Sequence, residues 1–169
     1  MSRSVAQIPD NVGVMLDANI IVYALTPNAR YHISCRQLLE RGAKRKVKLH
    51  IVVNTAADVI HRAMVLELVS SGQFETSADA VRHLKQTQET VKQLHRYRTI
   101  LGDLVQARIN ILPLTYRDLH ASKQYRDDYG LMVNDSLIVA VMNREKIQHI
   151  ATNDADFERI PNIAVRTPL

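Results

Sequence analysis

The sequence predicts an α/β fold, a parallel sheet of four to five strands covered by helices on both faces, and two observations carry it. Short apolar runs rich in β-branched residues alternate with longer segments of helical character, the pattern of a parallel sheet. Acidic residues fall just past the ends of those runs, where such sheets gather their ligands. No internal repeat, low-complexity run or linker interrupts the 169 residues. The expectation is one domain over 1–169 with a helical excursion around 74–107.

"VGVMLDANIIVYAL" opens the series with a strand over Val12 to Leu16 that stops at Asp17 in a polar turn. "HISCRQLLERGAK" spaces Ile33, Leu38 and Leu39 for a short helix, with Gly42 as its stop. "VKLHIVV" is strand two. "NTAADVIHRAMVLELVSSG" is a helix that Asn54 or Thr55 can cap and Gly72 closes. The polar stretch from Thr76 to Ala107 predicts one or two amphipathic helices, with Thr76 and Asp79 as an N-terminal cap. "INILPL" is strand three, and "TYRDLHASKQYRDDYG" a helix stopped at Gly130. "NDSLIVAVMNREK" is an apolar helix capped by Asn134. "QHIAT" is strand four, and "IAVRTP" a short fifth.

Composition bounds the function. Forty-six per cent of the residues are hydrophobic and mean hydropathy is near neutral, as in a soluble globular protein. No apolar run reaches the ~20 residues that span a bilayer, and the polar start is unlike a signal peptide. The cytosol is therefore the expected compartment, with no membrane partner. Cys35 is the sole cysteine, which excludes an intramolecular disulfide and a thiolate metal cluster. The net charge of +5 is concentrated: seven Lys or Arg against Glu40 between Arg30 and Lys48, and five against Glu89 between Arg82 and Arg98. Such stretches favour polyanions, nucleic acid above all, and are expected to position a nucleic-acid backbone beside the site; the plain alternative is two solvated helix faces. Two Phe, six Tyr and no Trp give little material for a base-stacking platform.

Four acids mark a site. Asp17 ends strand one, Asp58 lies early in the helix after strand two, Asp135 opens the apolar helix, and Asp154 follows strand four. Carboxylates gathered in one cleft repel one another unless some are protonated or a cation holds them. Oxygen donors without cysteine select Mg²⁺ or Mn²⁺ over Zn²⁺. A divalent ion on carboxylates activates water and stabilises phosphoryl oxygens, which is the logic of phosphodiester hydrolysis. Asn19, Thr152 and Asp156 are auxiliary: Asn19 is also a plausible turn residue, Asp156 a cap of the "FERI" turn, and the Thr152 hydroxyl a brace for the Asp154 turn. His61 reads as structural or ion-paired, and Glu67, Asp127 and Asp128 as surface acids.

The order of these motifs resembles the PIN-domain family. "VMLDANIIVYAL" is similar to its opening strand, and "YGLMVNDSLIVAVMNREKIQHIATNDADFERIPNIAV" to its C-terminal half, where Asp opens an apolar helix and a Thr-x-Asp-x-Asp-Phe turn follows. The resemblance implies a three-layer α/β/α sandwich around the parallel sheet. It also implies a Mg²⁺- or Mn²⁺-dependent ribonuclease with metal aspartates Asp17, Asp135 and Asp154. Small members of this kind are mostly VapC-like toxins of toxin–antitoxin pairs, so RNA, a cognate antitoxin and a homodimer are the implied partners. One position departs from the pattern: Asp58 stands in "ADVIHRAM" where the family usually has Glu, which leaves open a degenerate site in a binding module. A haloacid-dehalogenase-like phosphatase with Asp17 as nucleophile is the remaining rival, but Asn19 replaces the second acid of its Asp-x-Asp motif.

Overall fold

A computed structural model describes residues 3–27 and 29–169. Six strands form one all-parallel sheet: β1 (Arg3–Ser4), β2 (Gly13–Leu16), β3 (Lys48–Val52), β4 (Asn110–Leu112), β5 (His149–Ala151) and β6 (Ala164–Thr167). Their spatial order is β1-β6-β5-β2-β3-β4. From β2 the chain steps outward through β3 to β4, then returns to lay β5 on the other flank of β2. The direction of winding therefore reverses between β2 and β5, where a crevice opens at the carboxyl ends.

Alternation along each strand builds the three layers. Val14 and Leu16 of β2, with Leu49 and Ile51 of β3, face a core formed with α1 (Ala18–Leu25), α2 (His32–Ala43), α3 (Val53–Ser70) and α6 (Arg96–Gln106). Met15, Val52, Ile150 and Val165 face the opposite core, against α8 (Val133–Arg144) and two tyrosines of α7 (Tyr116–Tyr129). Both faces of the central strands are thus dry, which is why these strands read as nearly continuous apolar runs.

The α/β/α expectation holds, and several local expectations are corrected. A sixth strand, β1, pairs with β6 at the sheet edge; two residues carry no periodicity to read. The apolar continuation after Asp17 is the helix α1. Gly42 does not stop α2 but lies inside it, packed so closely on the next strand that a Cβ there would sit 2.3 Å from Leu49 Cδ1. Ile33 is 72 % exposed and belongs to neither core. The long polar segment holds three helices, α4 (Ser77–Gln86), α5 (Gln88–Gln93) and α6, with Thr76 capping α4 as expected. Gly130 closes α7 in the left-handed conformation, also as expected.

Glu67, read as a surface acid, has a structural task. Its carboxylate accepts the backbone N–H groups of His95 and Arg96, at 2.9–3.1 Å, and so satisfies the start of α6 from a neighbouring helix. Glu67→Ala is expected to destabilise the fold by about 1 kcal/mol, the usual worth of a helix cap. Hydrogen exchange should accelerate selectively at the start of α6; unchanged protection there would contradict the assignment.

Candidate metal centre

The crevice between β2 and β5 is a cavity of about 170 Å³ lined by acids from four elements: Asp17, Asp58, Asp135 and Asp154. Asp17 reaches it because the β2 ladder ends there, its N–H donating to Ala151 O of β5 at 3.0 Å. Its carboxylate is braced: Thr152 Oγ1 donates to Oδ2 at 2.7 Å and Asn19 Nδ2 to the same oxygen at 2.5 Å. Thr152 is fully buried and its Oγ1 also accepts the N–H of Asp154 at 2.9 Å. Asn19 Oδ1 accepts the N–H of Asn153 at 3.3 Å. Thr152 and Asn19 therefore lock two cavity acids to one another across adjacent strands.

The acids act on one another electrostatically. Burial pushes the Asp135 carboxyl up to about 6, and the neighbouring Asp17, Asp154 and Asp156 charges push it the same way. Asp17 is also raised, chiefly by burial, against the pull of the Thr152 hydroxyl, the Ala18 N–H and the Arg62 charge. A carboxyl raised above its unfolded value of about 3.9 loses its proton later in the fold than in the unfolded chain. Asp135 thus costs nothing below about pH 4 and destabilises progressively as pH rises to about 6. In chelator-treated protein, melting temperature should fall across pH 4–6. Asp135→Asn should flatten that fall and melt about 2–4 °C higher at pH 7.5, equivalent to about 1 kcal/mol. Parallel pH–melting curves for the two proteins would refute this coupling.

The outer residues sort differently. Asp156 lies outside the cavity lining; its carboxylate accepts from Arg159 at 2.5 Å and its N–H donates to Asp154 Oδ1 at 2.9 Å. Asp154, rather than Asp156, thereby caps the short turn Ala155–Arg159. Asp58 lines the cavity, but Arg62 Nε, one helical turn along and also in the lining, donates to its Oδ2 at 2.8 Å. His61 is exposed and is not part of the lining.

The expected helix caps are corrected here. α3 starts at Val53 and α8 at Val133, neither with a side-chain cap. Asn54 and Asn134 instead meet across the cavity, Asn54 Nδ2 donating to Asn134 Oδ1 at 3.4 Å. Sequence reading missed Arg62 and the cavity roles of Asn54 and Thr55. Their spacings from Asp58 (four after, four before and three before) put all three on its helix face.

The run Lys44 to Lys48 of the first basic stretch is corrected as well. Lys46 O accepts the N–H of Asn11, and Lys48 N–H donates to Val12 O, so Lys44 to Lys48 lie at the amino end of the sheet. The length of a four-residue strand, roughly 13 Å, separates them from the acids. In the second stretch Arg82 pairs with Asp79, Lys92 with Glu89, and Arg96 donates to Leu25 O. The cation within the cavity lining is Arg62.

A divalent ion is what the fold and the acids imply, and the donors fit one: hard oxygens whose mutual repulsion a cation would relieve. Among the described residues, no three His, Cys, Asp or Glu side chains converge closely enough to hold an ion by themselves. The cavity also offers the neutral oxygens of Asn54 and Thr55.

Comparison with known proteins fits this geometry. The family model "PIN domain" matches residues 14–163, and the chain belongs to that family. Its fold is similar to VapBC2 from Rickettsia felis, solved bound to a DNA fragment from its promoter, at 20% identity and TM-score 0.58 over 92% of this chain and 98% of that one. It is similar to FitAcB from Neisseria gonorrhoeae at 19% identity and TM-score 0.55, over 92% and 97%. It is also similar to Mycobacterium tuberculosis VapC20, a sarcin–ricin loop cleaving toxin, at 11% identity and TM-score 0.55, over 90% and 98%. No curated protein matches the chain. Among the described residues no helix is long and apolar enough to cross a membrane.

Proposed function

We propose that this protein is a Mg²⁺- or Mn²⁺-dependent endoribonuclease, the toxin of a cytoplasmic toxin–antitoxin pair. The observation that carries the reading is the convergence of Asp17, Asp135 and Asp154, from three separate elements, in one cavity at the sheet's carboxyl end. A bound divalent ion would supply an activated water and charge stabilisation on a phosphodiester. The chain's own part is to hold the acids: Thr152 and Asn19 fix Asp17 and the Asp154 turn, while the start of α8 presents Asp135. Asp135 is raised by burial and by its acidic neighbours, a repulsion that a bound cation would relieve. The sarcin–ricin loop activity of the M. tuberculosis toxin supports RNA as substrate, and the VapBC-type neighbour supports a cognate antitoxin; a homodimer is the assembly the family resemblance implies.

Incubating the purified protein with structured RNAs in Mg²⁺, Mn²⁺ or EDTA tests this. Cleavage in the first two and none in the third is expected. A second reading, a PIN-like module that binds RNA or a partner protein without cutting, draws on the Arg62 contact that occupies Asp58. Metal-independent binding without cleavage would establish it instead.

A further inference from the structure

Resting on the cation reading above, we propose that α3 completes the metal centre with two neutral oxygens, Asn54 Oδ1 and Thr55 Oγ1, in place of the Asp58 carboxylate. Asp58 is poorly placed for the task. Its side chain is one methylene shorter than glutamate, and Arg62 already holds its Oδ2 at 2.8 Å.

One turn earlier on the same helix, two oxygens lack partners. Thr55 is 4 % exposed and its Oγ1 makes no hydrogen bond, although the residue lines the cavity. A threonine hydroxyl inside a helix commonly donates to the carbonyl four residues back. Here that carbonyl belongs to Ile51, which lies in β3 rather than in the helix. Asn54 Oδ1 is also buried and unpartnered, while its Nδ2 is turned to Asn134, the neighbour of Asp135. A buried polar atom without a partner costs about 1–3 kcal/mol, so each such oxygen calls for an explanation. Both are oxygen donors, both belong to residues of the acid cavity, and the carboxylates there do not close a coordination shell alone. Hard divalent ions accept amide and hydroxyl oxygens beside carboxylates. Arg62 then has a definite role: it neutralises Asp58 and keeps that acid out of the shell.

The test is Mn²⁺ binding without RNA, followed by calorimetry and by the electron paramagnetic resonance signal of free Mn²⁺. Asn54→Leu and Thr55→Val should each weaken Mn²⁺ about tenfold, in the range seen when a metal's supporting groups are lost. Thr55→Ser should retain wild-type affinity. The charge-neutral pair Asp58→Asn with Arg62→Gln should stay within about twofold. Asn54→Asp should bind more tightly than wild type, an outcome that misfolding cannot imitate. The inference is overturned if the Asp58/Arg62 pair loses the tenfold while Asn54→Leu and Thr55→Val lose none. If the wild-type protein binds no Mn²⁺ at millimolar concentration, the cation reading itself falls and this inference with it.

Discussion

Asp135→Asn is expected to lower RNA cleavage by about 10³-fold while leaving the fold intact. That corresponds to about 4 kcal/mol of transition-state stabilisation, the scale on which a metal-supported charge network acts. The expectation rests on place: Asp135 stands at the start of α8, within the fields of Asp17, Asp154 and Asp156. Asparagine keeps the shape, removes the charge and relieves the repulsion, so the variant should melt no lower than wild type in chelator. Lost activity with unchanged or raised stability is the signature of a functional acid. A variant that cuts RNA at more than a tenth of the wild-type rate would remove Asp135 from the chemistry.

The site acids were legible because each occupies an element end. Asp17 follows an apolar run, Asp135 opens an apolar helix, and Asp154 follows another run; strand order then brings them together, since β5 lies beside β2. Thr152 and Asn19 were legible as turn residues, and the structure gives them bonds to Asp17. What was not legible depended on tertiary distance. Arg62 reads as one more surface cation until α3 is seen to turn it toward the cavity. Asn54 and Thr55 read as caps because their types favour caps, yet the helix already begins at Val53, ahead of both. α1 escaped because "NIIVYAL" has the β-branched composition of a strand, and burial of Ile20, Ile21 and Ala24 against the sheet decides for helix. The run Lys44 to Lys48 misled because linear clustering says nothing about which end of a sheet a loop occupies.

The second large effect is on stability, and it lies away from the cavity. Asp118 is 3 % exposed, and three donors meet on its Oδ2: Thr115 N–H and Oγ1 donate at 2.8 and 2.6 Å, and Arg144 forms an ion pair with it. Arg144 also donates to Pro113 O at 3.0 Å, so one guanidinium ties the start of α7 to the end of α8. Burial alone would raise the Asp118 carboxyl, but the Thr115 bonds and the Arg144 charge outweigh it and hold it below 3.8. A lowered carboxyl stabilises the fold above its unfolded value and loses that contribution as pH falls through the lower folded one. Asp118→Ala should therefore cost about 3 kcal/mol at neutral pH, because it strips a capping box and leaves Arg144 without its buried partner. Melting temperature should drop by roughly 6–12 °C for a chain of this size. The penalty should shrink as pH falls below the ordinary carboxylate range, where the stabilisation from the lowered Asp118 carboxyl is lost. Metal affinity should be unchanged, since the pair lies outside the acid cavity. Urea unfolding of Asp118→Ala, Arg144→Ala and the double variant separates the pair from its parts. A double variant as unstable as the sum of the singles would show that the two side chains act independently, and the tie between α7 and α8 would have to be sought in their apolar contacts instead.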